Sequence, residues 1–204
     1  MGKKLFPILV ILNMFAAAAS ADPISFTFVG TRSGSLNGVG FSDALITFSL
    51  DFNTGQIIGN CAVGCGTGDF PNLATFSIPG FASGTITEVA GVNICGSICS
   101  GFPTFQTAQF VADTSFAAVV ANPSLIGYDL RSSIGPLVST EAFSVTGQIA
   151  TTAGLLVLPP QNSVWTFTAT TVPEPASFDL ITLGMLLILI TKIVMRTRVK
   201  HRLF

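Results

Sequence analysis

Two segments near the start of the chain alternate strictly. Ile24-Ser25-Phe26-Thr27-Phe28 places an apolar side chain at every second position, and Ile46-Thr47-Phe48-Ser49-Leu50-Asp51-Phe52 does the same. A period of two sends successive side chains to opposite faces of a strand, so each segment predicts a strand with one buried and one wet face. Runs rich in Thr, Val, Ile and Phe follow at 74–78, 84–89, 107–111, 116–120, 126–130, 142–149, 155–158 and 164–170. Turn formers separate them, and Asn37-Gly38 and Asn53-Thr54-Gly55 carry hairpin-turn signals. No segment before Phe178 sustains a helical period over three turns. The pattern therefore predicts an all-β, antiparallel, β-sandwich-like domain of about eight to ten short strands. The phase of the alternation names an inward set: Phe26, Phe28, Ile46, Phe48, Leu50, Phe76, Ile78, Phe110, Phe143, Val145, Trp165 and Phe167.

The two ends follow other rules. Lys3 and Lys4 precede an apolar run over 5–15, and small residues follow over 16–21. Ala19-Ser20-Ala21 fits the small-x-small pattern of a signal-peptidase site, which predicts a signal peptide over 1–21 and Asp22 as the first mature residue. At the other end, 178–195 reads FDLITLGMLLILITKIVM. As a helix these residues would be about 27 Å long, enough for a single transmembrane crossing. Asp179 and Lys192 stand near its ends, and Arg196, Arg198, Lys200 and Arg202 follow in a basic tail over 196–204. Cations stay on the inner side of a membrane, so Lys192 and this tail predict a cytoplasmic C-terminus and an exported middle.

Directly before that helix stands Pro173-Glu174-Pro175, a stiff spacer that prevents an early helix start. The order Pro-Glu-Pro, single spanning helix, basic cluster, at the end of a chain with a signal peptide, resembles the PEP-CTERM sorting domain of exported bacterial proteins. The resemblance covers 172–204. It implies that Pro173, Glu174 and Pro175 are recognised by an exosortase, a membrane-embedded cysteine protease that cuts near the motif and transfers the protein to another anchor. It further implies a cell-surface or extracellular-matrix location linked to exopolysaccharide and biofilm. The phrases 35–39 and 128–136 resemble segments of other passengers that carry this tail, and imply no activity. The expected organisation is signal peptide 1–21, all-β passenger 22–171 and sorting segment 172–204.

Charge narrows the partners. Between Asp22 and Ala176 the chain holds two basic residues, Arg32 and Arg131, against nine acidic ones, a net of −7 with no Lys. Phosphate contacts need Lys and Arg, so no nucleic-acid partner is expected. The expected partners are signal peptidase, the exosortase, the membrane and exopolysaccharide.

The four cysteines form two copies of one spacing, Cys61-x-x-x-Cys65 and Cys95-x-x-x-Cys99, each in an expected Gly-rich loop, 59–68 and 91–101. An even count in an exported chain predicts disulfides. Local pairs need only tight turns, crossed pairs would constrain the unfolded chain more, and a four-cysteine zinc site is the remaining alternative. The expectation is two disulfides, with local pairing preferred and no bound metal or other cofactor.

The only histidine, His201, lies in the basic tail. The passenger thus lacks the residues for Ser-His-Asp, Cys-His or Schiff-base chemistry. Paired carboxylates are the enzymatic chemistry its composition still allows, as in glycan hydrolysis. That reading stands as the alternative to a non-enzymatic adhesive or structural role, and it expects two facing acids with Trp165 or Tyr128 lining their cleft. Asp51-Phe52-Asn53-Thr54-Gly55 has oxygens on alternate residues, as in part of a calcium loop, but lacks a closing Glu and reads as a turn. Ca²⁺ held between loops stays open as an alternative.

Overall fold

In the computed structural model the described residues are 23–60, 64–67, 70–71, 73–95, 106–113 and 115–172, with the side chains of residues 60, 64, 65, 70 and 71 outside the description. They are antiparallel β throughout, apart from two single 3-10 turns. The predicted signal peptide, Pro-Glu-Pro motif, spanning helix and basic tail lie outside the described residues. Among the described residues no helix is long and apolar enough to cross a membrane.

Two strands dominate. β1 (Pro23–Leu36) and β2 (Val39–Asn53) form one long hairpin about Asn37-Gly38, whose φ angles of 50° and 80° are the left-handed pair that a tight two-residue turn requires. The large sheet continues through β6 (Ala74–Ile78) and β7 (Ala82–Thr85) on one side. On the other side stand β14 (Trp165–Thr171) and then β11 (Ile134–Val138). β12 (Phe143–Thr151) and β13 (Gly154–Ser163) form a hairpin that joins β1 through Ser35 and Leu36. The smaller sheet runs β10 (Ser115–Asn122), β9 (Gln106–Ala112), β8 (Val89–Cys95), β4 (Gly64–Gly66) and β3 (Ile58–Asn60), with β5 (Phe70–Pro71) also on β8.

The large sheet curls. Just past β7, Ile86 bridges Thr151, Thr152 N–H donates to Thr85 O at 2.8 Å, and Thr87 N–H donates to Ala150 O at 2.9 Å. Since β13 already joins β1, the path β1-β2-β6-β7-β12-β13 closes into a ring at this end. Closure pairs backbone groups that an open edge would leave bare. Asn37 locks the ring: its Nδ2 donates to Ala153 O at 2.9 Å and its Oδ1 accepts from Leu155 N–H at 3.0 Å.

Between the sheets lies a Phe-rich core. Phe28 of the large sheet meets Phe110 of the small one at 5.9 Å edge-on, and Phe48 stacks on Phe110 at 4.9 Å. Phe28 also meets Phe167 at 5.0 Å, and Phe48 meets Trp165 at 5.8 Å. Each fully buried Phe contributes about 1.5–3 kcal/mol of transfer energy. Of the twelve residues expected to face inward, eleven are buried and Phe143 is half-exposed.

Several strand expectations are corrected. The segment 126–130 is a turn held by Tyr128 N–H to Leu125 O at 3.0 Å, although its apolar residues Tyr128 and Leu130 are buried. The run 84–89 splits between β7 and β8 at the point where the chain leaves one sheet for the other. Of the two expected Gly-rich loops, 59–68 holds strand residues of β3 and β4, and 91–95 of the loop 91–101 belongs to β8, where Gly91 is buried opposite Val111. β1 and β2 each extend well beyond their alternating segments because pairing with each other satisfies their backbone groups whatever their side chains.

Candidate functional site

Arg32 continues the inward phase of Ile24, Phe26, Phe28 and Gly30 and is completely buried. It sits at a corner. Beside it, the β12–β13 register slips between Val145 and Gly147, and Pro159-Pro160 occupies the bulge. Proline has no N–H to give a ladder, so it stands at such irregularities, and nearby carbonyls lose their partners. The Arg32 guanidinium supplies them: Nη2 donates to Val145 O at 2.9 Å and to Pro159 O at 2.6 Å, and Nη1 to Ser163 Oγ at 3.3 Å. Ser163 Oγ also accepts from Trp165 Nε1 at 2.8 Å. Nε has no partner, and among the described residues no carboxylate pairs with this cation. Burial pulls the Arg32 pKa down from its usual value, yet a guanidinium keeps its proton in proteins. Arg32 thus stitches β1 to the β12–β13 hairpin. The alternation of β1 was the signal that could have placed it inside.

A carboxylate pair lies elsewhere. Glu88 stands in the β7–β8 connection, and Asp113 occupies the turn after β9 at a left-handed φ of 51°. Asp113 N–H donates to Val89 O at 2.7 Å, which draws the turn toward Glu88. Glu88 Oε1 is hidden from solvent without a hydrogen-bond partner. Burial pushes the Glu88 pKa up, a backbone hydrogen bond from Ala150 pulls it down, and the Asp113 charge pushes it up further. Beside Asp113 a depression of about 370 Å³ is lined by Ser115, Thr146, Gly147 and Gln148. Of the two acids only Asp113 lines this depression; Glu88 does not. The aromatic lining expected of a glycan cleft is absent here: Trp165 is fully buried in the core, and Tyr128 is buried with its hydroxyl donating to Ser132 O at 2.7 Å.

The other expected residues are dispersed. Asp51 lies exposed on β2, Asp43 occupies the β-bulge opposite Ser33, and Asp129 accepts from Arg131 N–H at 3.0 Å. Asp51, Phe52 and Asn53 end strand β2, and Asn53 caps the 3-10 turn Thr54–Gln56 by accepting from Gly55 N–H at 3.0 Å, so of the segment read as a turn only Thr54 and Gly55 leave the strand. Among the described residues no three His, Cys, Asp or Glu side chains gather as a metal site. Cys95 is buried and disulfide-bonded. Cys61 and Cys99 lie outside the described residues, and Cys65 is placed by its backbone alone, opposite Ile94. Ala19, Ala21, Asp22, Pro173, Glu174, Pro175, Lys192, Arg196, Arg198, Lys200 and Arg202 lie outside the described residues as well.

No family model matches this chain, and searches of the curated proteins and of the solved structures return no significant match.

Proposed function

We propose that the chain is an exported, exosortase-sorted surface or matrix protein with a non-enzymatic, adhesive or structural role linked to exopolysaccharide. Signal peptidase removes 1–21, the β domain folds outside the cytoplasm, and 172–204 anchors it until the Pro173-Glu174-Pro175 segment is processed. One observation carries the reading. The first strand starts at Pro23, the last ends at Thr171, and these ends pair, with Ile24 opposite Thr171 and Val172 N–H donating to Pro23 O at 2.8 Å. The first and last described strands thus pair with each other between the two predicted processing points, which supports this reading. The disulfide at Cys95 suits an oxidising compartment.

Mass spectrometry of the mature protein from its native host tests this. The expected species begins at Asp22, ends near Pro175 and has oxidised cysteines. Intact 1–204 polypeptide in the cytosol with free thiols would overturn the reading.

The alternative, extracellular glycan hydrolysis, has only the electrostatic coupling of Glu88 to Asp113 behind it, since neither Trp165 nor Tyr128 lines the depression beside Asp113. Release of reducing sugar from the producer's own polysaccharide, abolished in both Glu88→Gln and Asp113→Asn, would support it over the first.

A further inference from the structure

The outward face of the large sheet is a lattice of hydroxyl groups. Register sets Thr168, Thr27, Ser49, Thr75 and Thr85 side by side across β14, β1, β2, β6 and β7. The adjacent row is Thr166, Val29, Thr47, Ser77 and Ser83 on the same five strands. A shorter third row holds Thr170, Ser25 and Asp51. Neighbouring strands stand about 4.8 Å apart, and same-face residues along a strand about 6.8 Å apart, so the hydroxyls form a regular mesh.

Thr and Ser are ordinary on a wet strand face, and two further facts bear on what this face offers a ligand. First, Asp51 is the one ionisable group in these rows, and it sits at a corner; the chain as a whole is only 9% charged, so the face shares that scarcity of charge and offers hydroxyls in its place. Second, none of these hydroxyls is hydrogen-bonded to another protein group among the described residues; the Ser133–Thr171 hydroxyl pair, at 3.0 Å, lies outside the lattice.

A hydroxyl donates once and accepts twice. A ligand that satisfies a row of them must repeat donors and acceptors along its length. An anionic ligand would find no counter-charge here and a cationic one only Asp51 at the corner, and either would still lose hydration. The lattice carries no aromatic ring, so ring stacking contributes nothing. Sheets also twist by about 20–25° per strand, and this one curls far enough to bring the end of β7 to β12. A rigid crystal plane would meet few strands, whereas a flexible polymer can follow a whole row. We propose that the hydroxyl lattice on the outer face of the large sheet is a docking surface for an uncharged polysaccharide, lying across the strands along the row that contains Thr27, Ser49 and Thr75. The inference rests on the displayed-matrix reading for its biological setting only.

The test is affinity electrophoresis of the full chain in detergent micelles, through native gels containing galactomannan, a neutral β-glucan or alginate. Retardation is expected on at least one neutral polymer and not on alginate. The variant T27V/S49A/T75V should raise the apparent dissociation constant about tenfold while leaving the thermal midpoint unchanged. The control S144A/N162A, on the exposed face of the β12–β13 hairpin, should bind like the parent. No retardation on either neutral polymer, retardation on alginate alone, or undiminished binding by the triple variant would overturn the proposal. Adsorption to ice without polysaccharide binding would overturn it too, since that assigns the face to a rigid lattice. If binding fails while the mature termini appear as expected, the docking surface falls and the display reading stands.

Discussion

Gly30 faces Trp165 across the β1–β14 ladder, and the space for a methyl group there is already taken. A Cβ at residue 30 would stand 2.5 Å from Trp165 Cδ2 and 2.6 Å from Cε3, well inside ordinary contact. The indole cannot retreat. It is fully buried, its Nε1 donates to Ser163 Oγ at 2.8 Å, and the Phe48 ring lies 5.8 Å away. Forcing a methyl into such packing costs about 1–3 kcal/mol. If the ring turns to escape, its N–H is left buried without an acceptor, which costs about 1–3 kcal/mol more. With both costs, Gly30→Ala is expected to destabilise the domain by about 2–6 kcal/mol, lowering the melting midpoint by roughly 4–24 °C in a domain of this size. Trp165 is the sole tryptophan, so its emission reports the site directly. Denaturant unfolding followed by fluorescence should show the loss, together with a red-shifted native spectrum. At Gly40 the nearest atom to an added Cβ is 3.9 Å away, so Gly40→Ala should change stability by less than about 0.5 kcal/mol. Adding Trp165→Leu to Gly30→Ala should recover part of the loss, a coupling of about 1 kcal/mol or more. Gly30→Ala matching the parent in stability and emission would refute the packing argument.

Arg32→Ala should cost about 3–5 kcal/mol, because it leaves the Val145 and Pro159 carbonyls without their donor and opens a cavity; Arg32→Lys, with no planar fork, should recover only part of this in chemical denaturation. The pKa of Glu88 is raised in the folded state, so the fold favours its protonated form. That contribution is complete below the ordinary glutamate range and is lost as pH rises through the shifted value. Glu88→Gln should accordingly raise the melting midpoint at pH 7, leave it unchanged at pH 3 and flatten the slope between; an unaltered slope would count against the burial of this carboxyl. In the β4–β8 register Cys95 stands opposite Gly64 and Cys65 opposite Ile94, which puts positions 65 and 95 on opposite faces. Non-reducing peptide mapping should join Cys95 to Cys61 or Cys99, and a Cys65–Cys95 peptide would contradict the register.

Where side chains alternate, the sequence was a sufficient guide. The phase of 24–28 and 46–52 identified the buried Phe residues because a strand has only two faces and the apolar one must be covered. Asn37-Gly38 announced its hairpin because few residues tolerate two successive left-handed φ angles. Composition bounded the chemistry: residues 22–176 hold no Lys or His, so reactions that need either have no such side chain in that stretch. The same alternation, carried two positions past Phe28 to Gly30 and then Arg32, pointed to the interior, but a lone cation in a strand gives no hint of which carbonyls await it.

Pairing across the fold decided the rest. The Glu88–Asp113 approach depends on two turns separated by strands β8 and β9, and neither acid has a telling neighbour in the chain. The ring closure through Ile86 and Thr151, like the alignment of hydroxyls from five strands into rows, depends on register between segments far apart in sequence. Local alternation states which face of a strand is wet; which residues become neighbours on that face is set by backbone hydrogen bonding between strands, and that exists only once the chain has folded.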